Sequence, residues 1–313
     1  MADRASFITR RHVLAGAAGL AAAPLVGGFA DSPASAAQMI TRAVPATGEA
    51  MPAVGMGTWI TFNVGEDPAM RATRVDILRE FFRRGGGMID SSPMYGTSEA
   101  VVGHCLSELG YPDGLVSATK VWTRWDGEGR EQMAQSRDLW GVDRFDVMQI
   151  HNLVNWRDHL KTLQAAKESG RIRYIGVTTS HGRRHEELEK IMRTQPVDFV
   201  QFTYNIVDRG AEDRLLPLAA DKGLGVIVNR PFRRKQLFHM FADTPLPAWA
   251  GEAVDAANWA QFFLKFILAH PAVTCAIPAT SQVAHMKENM GALTGQLPDE
   301  RTRRRMVRHI ESL

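Results

Sequence analysis

The chain has 313 residues, 45% hydrophobic and 23% charged, with no long linker, low-complexity tract or block of like charge. That composition excludes a disordered or fibrous chain and fits one large soluble domain with a sizeable core. A formal net charge of +3, from 37 basic and 34 acidic side chains, is too small to argue for nucleic acid or an acidic membrane surface as a partner.

Residues 1–36 read apart from the rest. Thr9-Arg10-Arg11-His12-Val13-Leu14 sets paired arginines before an Ala/Gly-rich apolar stretch over 13–30, and Ala34-Ser35-Ala36 supplies the small residues of a cleavage site. Pro24 and several glycines leave the stretch too weakly apolar for a stable membrane span. The pattern resembles a twin-arginine signal, whose route exports proteins already folded, so the export machinery is an expected partner and the periplasm the expected location. Cleavage would remove Arg4, Arg10 and Arg11 with Asp3 and Asp31, and leave residues 37–313 nearly neutral.

Short apolar segments then alternate with amphipathic ones. A hairpin is predicted from strands over 39–44 and 51–54 around Thr47-Gly48-Glu49, capping the bottom of whatever follows. Strands are predicted over 53–58, 88–90, 115–120, 146–151, 174–178, 198–202, 225–229 and 274–277. Helical patterns follow them over 69–84, 98–109, 130–140, 156–169, 184–193, 211–221, 254–269 and 283–293, several closed by glycines such as Gly110, Gly170 and Gly223. Eight strand–helix pairs predict an α/β fold, a (β/α)8 TIM barrel. A doubly wound sheet is disfavoured, because Gly55-Met56-Gly57-Thr58-Trp59 lacks the third glycine and the immediate helix of a dinucleotide fingerprint. Residues 233–249, with Pro245 and Pro247, make a long loop after the seventh barrel strand and a candidate lid. The arginines at 301, 303, 304, 305 and 308 read as the solvated face of a last helix.

Three of the strands end in groups capable of proton chemistry: Asp90, Lys120 and His151, with Tyr95 five positions after Asp90. In a parallel barrel such strand ends meet at one face. A phenol is a poor acid or base at neutral pH, and an ammonium held by a carboxylate is expected to lower its pKa. An imidazole alongside can orient a carbonyl oxygen, so the set suits carbonyl reduction but needs a borrowed hydride donor. Taken singly, Asp90 could be a turn cap, Tyr95 a core residue and His151 either structural or functional. Lys120 is harder to read that way, since a lysine ending a buried strand needs a partner.

In order and spacing, Gly55-Met-Gly-Thr-Trp59, Asp90-Ser-Ser-Pro-Met-Tyr95-Gly-Thr-Ser-Glu99, Ala118-Thr-Lys120, Gln149-Ile-His151, Val200-Gln201-Phe-Thr-Tyr-Asn205 and Ile277-Pro278 followed by Glu288-Asn289 resemble the aldo-keto reductases over almost all of residues 37–313. The resemblance implies that Tyr95 is the general acid, that Lys120 and Asp90 tune it, and that His151 orients the substrate carbonyl. It implies a nicotinamide cofactor held by Thr58, Asp90, Asn152, Thr178, Gln201, Asn229, Arg230, Phe232, Thr280, Ser281, His285, Glu288 and Asn289. Trp59, Trp122, Trp125 and Trp156 are expected to wall a pocket for an apolar or aromatic carbonyl substrate.

The departures from the family pattern matter. Thr178-Thr179 replace a common Ser-Asn pair, and Asn229 stands where many members stack a tyrosine on the nicotinamide. Ala279 and His285 stand where many carry Lys and Arg against the adenosine 2′-phosphate, so NADP(H) is the family default and NAD(H) the alternative. Cys105 and Cys275 show no ligand spacing and read as buried free thiols rather than a disulfide. His181-Gly-Arg-Arg-His185 reads as a solvated loop and helix start rather than a metal site, so no metal is expected. The competing function is a nicotinamide-binding sensor or partner-binding subunit with little turnover.

Overall fold

The computed structural model describes residues 38–125 and 127–313; the signal-like stretch 1–36 lies outside the described residues. Strands β1 (Thr41–Ala43) and β2 (Ala50–Pro52) form the antiparallel hairpin. The barrel strands are β3 (Met56–Gly57), β4 (Met88–Asp90), β5 (Val116–Val121), β6 (Phe145–Ile150), β7 (Ile172–Thr178), β8 (Phe199–Thr203), β9 (Gly225–Asn229) and β10 (Cys275–Ala276). They pair in parallel in chain order, and a bridge between Val54 and Ala276 closes the two ends, giving the (β/α)8 barrel expected. The first and last strands are shorter than predicted, because only a few ladder bonds cross this seam, among them Gly55 N–H to Ala276 O at 2.8 Å.

One inward residue from each of seven strands fills the barrel: Met88, Ala118, Val147, Tyr174, Phe199, Ile227 and Cys275. Val44 and Met51 of the hairpin join this cluster, so the hairpin plugs the barrel. The larger core lies between strands and helices, which are α1 (Pro68–Arg83), α2 (Ser98–Glu108), α3 (Glu128–Trp140), α4 (Trp156–Glu168), α5 (His185–Thr194), α6 (Leu215–Lys222), α7 (Gln236–Met240), α8 (Trp249–Val254), α9 (Trp259–Leu268), α10 (Val283–Met290) and α11 (Glu300–Glu311). Local chemistry sets their ends. Asp67 caps α1 by accepting from Met70 N–H at 2.8 Å, with Pro68 in the first turn, and Val75, Leu78 and Phe81 face the core.

Three differences from the sequence expectations have physical causes. The helix predicted over 254–269 divides into α8 and α9: Asp255 takes a left-handed conformation and accepts from Gln296 N–H, and Asn258 caps a fresh start. The long loop after β9 contains α7, and Phe232, Phe238, Phe241, Trp259 and Phe263 pack it down as an aromatic cluster. In α11, Arg303 is buried rather than solvated; its guanidinium lies 4.7 Å from the Phe266 ring centre and bonds Tyr204 and Glu212. Among the described residues no helix is long and apolar enough to cross a membrane.

Candidate active site

Asp90 is the last residue of β4, Lys120 the fifth of β5, and His151 follows directly on β6; all three are buried. Tyr95 ends a short 3-10 turn (Pro93–Tyr95) after β4, which Ser92 caps by accepting from Met94 N–H at 3.3 Å. The structure brings the four together. Lys120 Nζ donates to Asp90 Oδ2 at 2.5 Å and to Ser91 O at 2.7 Å. The same ammonium lies 5.2 Å from the Tyr95 ring centre, and the His151 ring meets Tyr95 edge-on at 5.6 Å.

The other oxygen of Asp90 is held by two side-chain amides, Gln149 Nε2 at 2.8 Å and Gln201 Nε2 at 3.0 Å. Gln201 also donates to Gln149 Oε1 at 3.0 Å, and Asn229 donates to Gln201 Oε1 at 3.3 Å, so one network crosses the barrel from β4 to β9. Gln149 has room because its neighbour across the ladder is Gly176, where a Cβ would sit 2.7 Å from Gln149 Cγ. Gln149 carries no role in the sequence expectations. The signal was there, since it stands two residues before His151 and strand side chains alternate.

Electrostatics correct one expectation. Burial pushes the Tyr95 phenol above its ordinary value; Lys120 opposes this, Asp90 adds to it, and the net direction is up rather than down. At neutral pH Tyr95 is therefore a protonated acid with a proton to give. Burial alone would disfavour the Lys120 ammonium, but Asp90 and Tyr95 outweigh it and hold its pKa above the ordinary lysine value. Burial, then the charge of Lys120, drives His151 well below 6.5, so its imidazole is neutral.

The residues expected around a cofactor are distributed as follows. Thr58 Oγ1 bonds Ser91 Oγ at 2.9 Å behind Asp90. Asn152, in a left-handed conformation, donates its N–H to Thr178 Oγ1 at 2.9 Å. Asn229 donates to Thr179 O at 2.9 Å. Arg230 Nη1 meets His181 Nε2 at 2.6 Å. Thr280 is buried and bonds Gln282, Ser281 is half-buried, and His285, Glu288 and Asn289 share one face of α10. Phe232 is buried and packs on Phe238 at 4.8 Å in the aromatic cluster. Among the described residues, Thr179 Oγ1 and Arg230 Nε are buried and have no hydrogen-bond partner. A hydroxyl and a guanidinium nitrogen of this kind near the strand ends fit the amide and phosphate groups of a dinucleotide.

The tryptophans separate. Trp59 is half-buried with the Arg234 guanidinium 4.3 Å from its ring centre, while Trp122 and Trp125 are 43% and 69% exposed on the loop after β5. Trp156 is buried at the start of α4, and its indole N–H donates to Glu187 at 2.9 Å. Cys105 and Cys275 are free and buried. His181 and His185 do not share a helix, and among the described residues no group of three or more His, Cys, Asp or Glu could hold a metal ion.

With this geometry in place, comparison with known proteins identifies the family. Residues 53–305 match the model of the aldo/keto reductase family. The chain belongs to that family. It is an NAD(P)H-dependent oxidoreductase acting on carbonyl groups. It is similar to methylglyoxal reductase YeaE of Escherichia coli, 28% identical over 79% of this chain and 87% of that one. It is also similar to the NADH-specific methylglyoxal reductase of Escherichia coli, 28% identical over 58% of this chain but only 64% of that relative's length. Among solved structures it resembles an aldo-keto reductase of Klebsiella pneumoniae in complex with NADPH, with TM-score 0.70 and 24% identity over 87% of this chain and 95% of that chain.

Proposed function

We propose that this aldo-keto reductase reduces apolar or aromatic aldehydes and ketones, with Tyr95 as general acid. The observation that carries the reading is the buried Lys120–Asp90 pair beside a phenol and a neutral imidazole. Bound NAD(P)H supplies the hydride. As charge develops on the substrate oxygen, Tyr95 hands over its proton, and the fixed charge of Lys120 stabilises the phenolate left behind. His151 holds the carbonyl oxygen in line. Asp90 keeps Lys120 in place, and Gln149 and Gln201 keep Asp90 in place. Thr179, Arg230, Thr280, Ser281 and, on α10, exposed His285, half-buried Glu288 and buried Asn289 would hold the dinucleotide. Ala279 and His285 offer the adenosine 2′-phosphate no permanent cation, which supports acceptance of NADH alongside NADPH. The name of one relative specifies NADH, which points the same way.

Both Escherichia coli relatives are named for methylglyoxal, a small dicarbonyl. Exposed Trp122, Trp125 and Ile60, with half-buried Trp59, favour a larger apolar substrate here. The test is consumption of NADPH or NADH with a carbonyl panel by wild type and Tyr95→Phe. Turnover should drop at least about 100-fold in the variant while dinucleotide affinity by calorimetry stays unchanged. Activity surviving in Tyr95→Phe rejects the assignment, and wild type that binds dinucleotide without turning over any carbonyl supports the sensor reading.

Residues 1–36 support a further part of the proposal: export through the twin-arginine route to the periplasm, folded and with the dinucleotide already bound. Cell fractionation of the wild type and an Arg10→Lys/Arg11→Lys variant tests this. The variant should stay in the cytoplasm, and unchanged location rejects export by this route.

A further inference from the structure

The sequence expectations give Ser92 no role, yet it bonds both parts of the acid machinery, His151 through its side chain and the Tyr95 backbone through its carbonyl. It is fully buried. Its Oγ accepts from Met94 N–H at 3.3 Å and its carbonyl accepts from Tyr95 N–H at 2.9 Å, so it fixes the turn that carries the phenol. The same Oγ lies 2.8 Å from His151 Nδ1.

The direction of that last bond follows from counting hydrogens. A serine hydroxyl has one proton to donate. Met94 N–H is a donor and cannot receive it, and a fully buried side chain has no solvent to turn to. Among the described residues the one acceptor within reach is Nδ1 of His151. Because His151 is neutral, a ring nitrogen that accepts at Nδ1 must carry its proton at Nε2. Nε2 makes no hydrogen bond among the described residues, which leaves it for a ligand.

We infer that Ser92 is a positioning residue that selects the Nε2–H tautomer of His151, so that imidazole and phenol both present a proton to the same substrate oxygen. The inference rests on the carbonyl-reductase reading of the site. Reversed, Nδ1–H would donate to Ser92, the buried hydroxyl hydrogen would lack an acceptor, and Nε2 would turn a lone pair toward a carbonyl oxygen that is itself an acceptor.

The experiment is nitrogen-15 NMR of histidine-labelled full-length protein, with the His151 signals identified by their loss in His151→Asn. The expected wild-type spectrum shows His151 neutral from about pH 6 to 8, protonated at Nε2 and not at Nδ1. In Ser92→Ala the Nε2–H population should fall. The value of kcat should drop by roughly tenfold with KM nearly unchanged, less than the ~100- to 1,000-fold cost of removing an oxyanion donor outright. Ser92→Thr keeps the hydroxyl and should restore both the tautomer and kcat. A wild-type proton on Nδ1 overturns the inference even if every variant misfolds. So does a Ser92→Ala protein with unchanged tautomer. Either result leaves carbonyl reduction itself standing, whereas a wild type with the Nε2–H tautomer and no turnover would remove the reductase reading alone.

Discussion

Replacing Lys120 with methionine separates what the buried ion pair does for the fold from what it does for the chemistry. Lys120 and Asp90 have side chains 0% and 3% exposed, so the change strands a carboxylate away from water. Breaking one partner of a buried pair costs about 3–5 kcal/mol. Here Gln149 and Gln201 still donate to Asp90, which puts the expected cost near the low end, about 3 kcal/mol. For a domain of this size that is a fall in Tm of roughly 5–10 °C. Removing both charges, in Lys120→Met/Asp90→Asn, leaves no stranded ion and should recover most of the loss. Activity should not recover, because Tyr95 then has no cation to stabilise its phenolate. The assay pairs thermal unfolding by circular dichroism with NAD(P)H consumption on one aldehyde. The reasoning fails if the double variant is no more stable than Lys120→Met, or if it regains turnover.

Since the Tyr95 phenol is pushed up and His151 pushed down, reduction should be flat in kcat/KM from about pH 6 to 9 and fall only as pH rises past about 10; a decline centred near pH 8 contradicts the raised phenol. His151, His185 and His270 all have folded values depressed first by burial, so their contribution to stability is fully present above about pH 6.5 and is lost as pH falls toward those values. Urea midpoints measured at pH 7.5 and 5.5 should drop on the acid side. In Gly103→Ala a Cβ would lie 1.8 Å from Leu139 O, so α2 and α3 must separate, at about 3 kcal/mol or more by denaturant unfolding. Ala279→Lys/His285→Arg should raise affinity for NADPH over NADH by a few-fold per added charge in calorimetric titrations, and an unchanged ratio places the 2′-phosphate elsewhere.

Most of the architecture was legible because its markers are local. Gly85-Gly86-Gly87, Gly110, Gly170 and Gly223 sit between apolar runs and amphipathic ones, and that alternation is enough to count eight units. What was missed is decided by contacts distant in the chain. The break between α8 and α9 depends on Asp255 reaching Gln296, forty-one positions away. The burial of Arg303 depends on Phe266, Tyr204 and Glu212.

The convergence of Asp90, Tyr95, Lys120 and His151 was legible in the sequence and its electrostatics misjudged, for one reason. Residue types at strand ends tell which charges are near one another, and from charges alone a lysine should lower a tyrosine. Solvent access is a property of the closed barrel and appears in no local motif. With Lys120 enclosed and Tyr95 half-buried beside it, desolvation outweighs the ammonium and the phenol rises. That reversal suits a reductase better than the original expectation. A phenolate at neutral pH would have no proton to give, whereas a phenol kept protonated by burial, with a fixed ammonium 5.2 Å from its ring centre, gives its proton only when an oxyanion forms to take it. The same enclosure keeps His151 neutral, and a neutral ring has a tautomer to choose, which is what makes the buried hydroxyl of Ser92 matter.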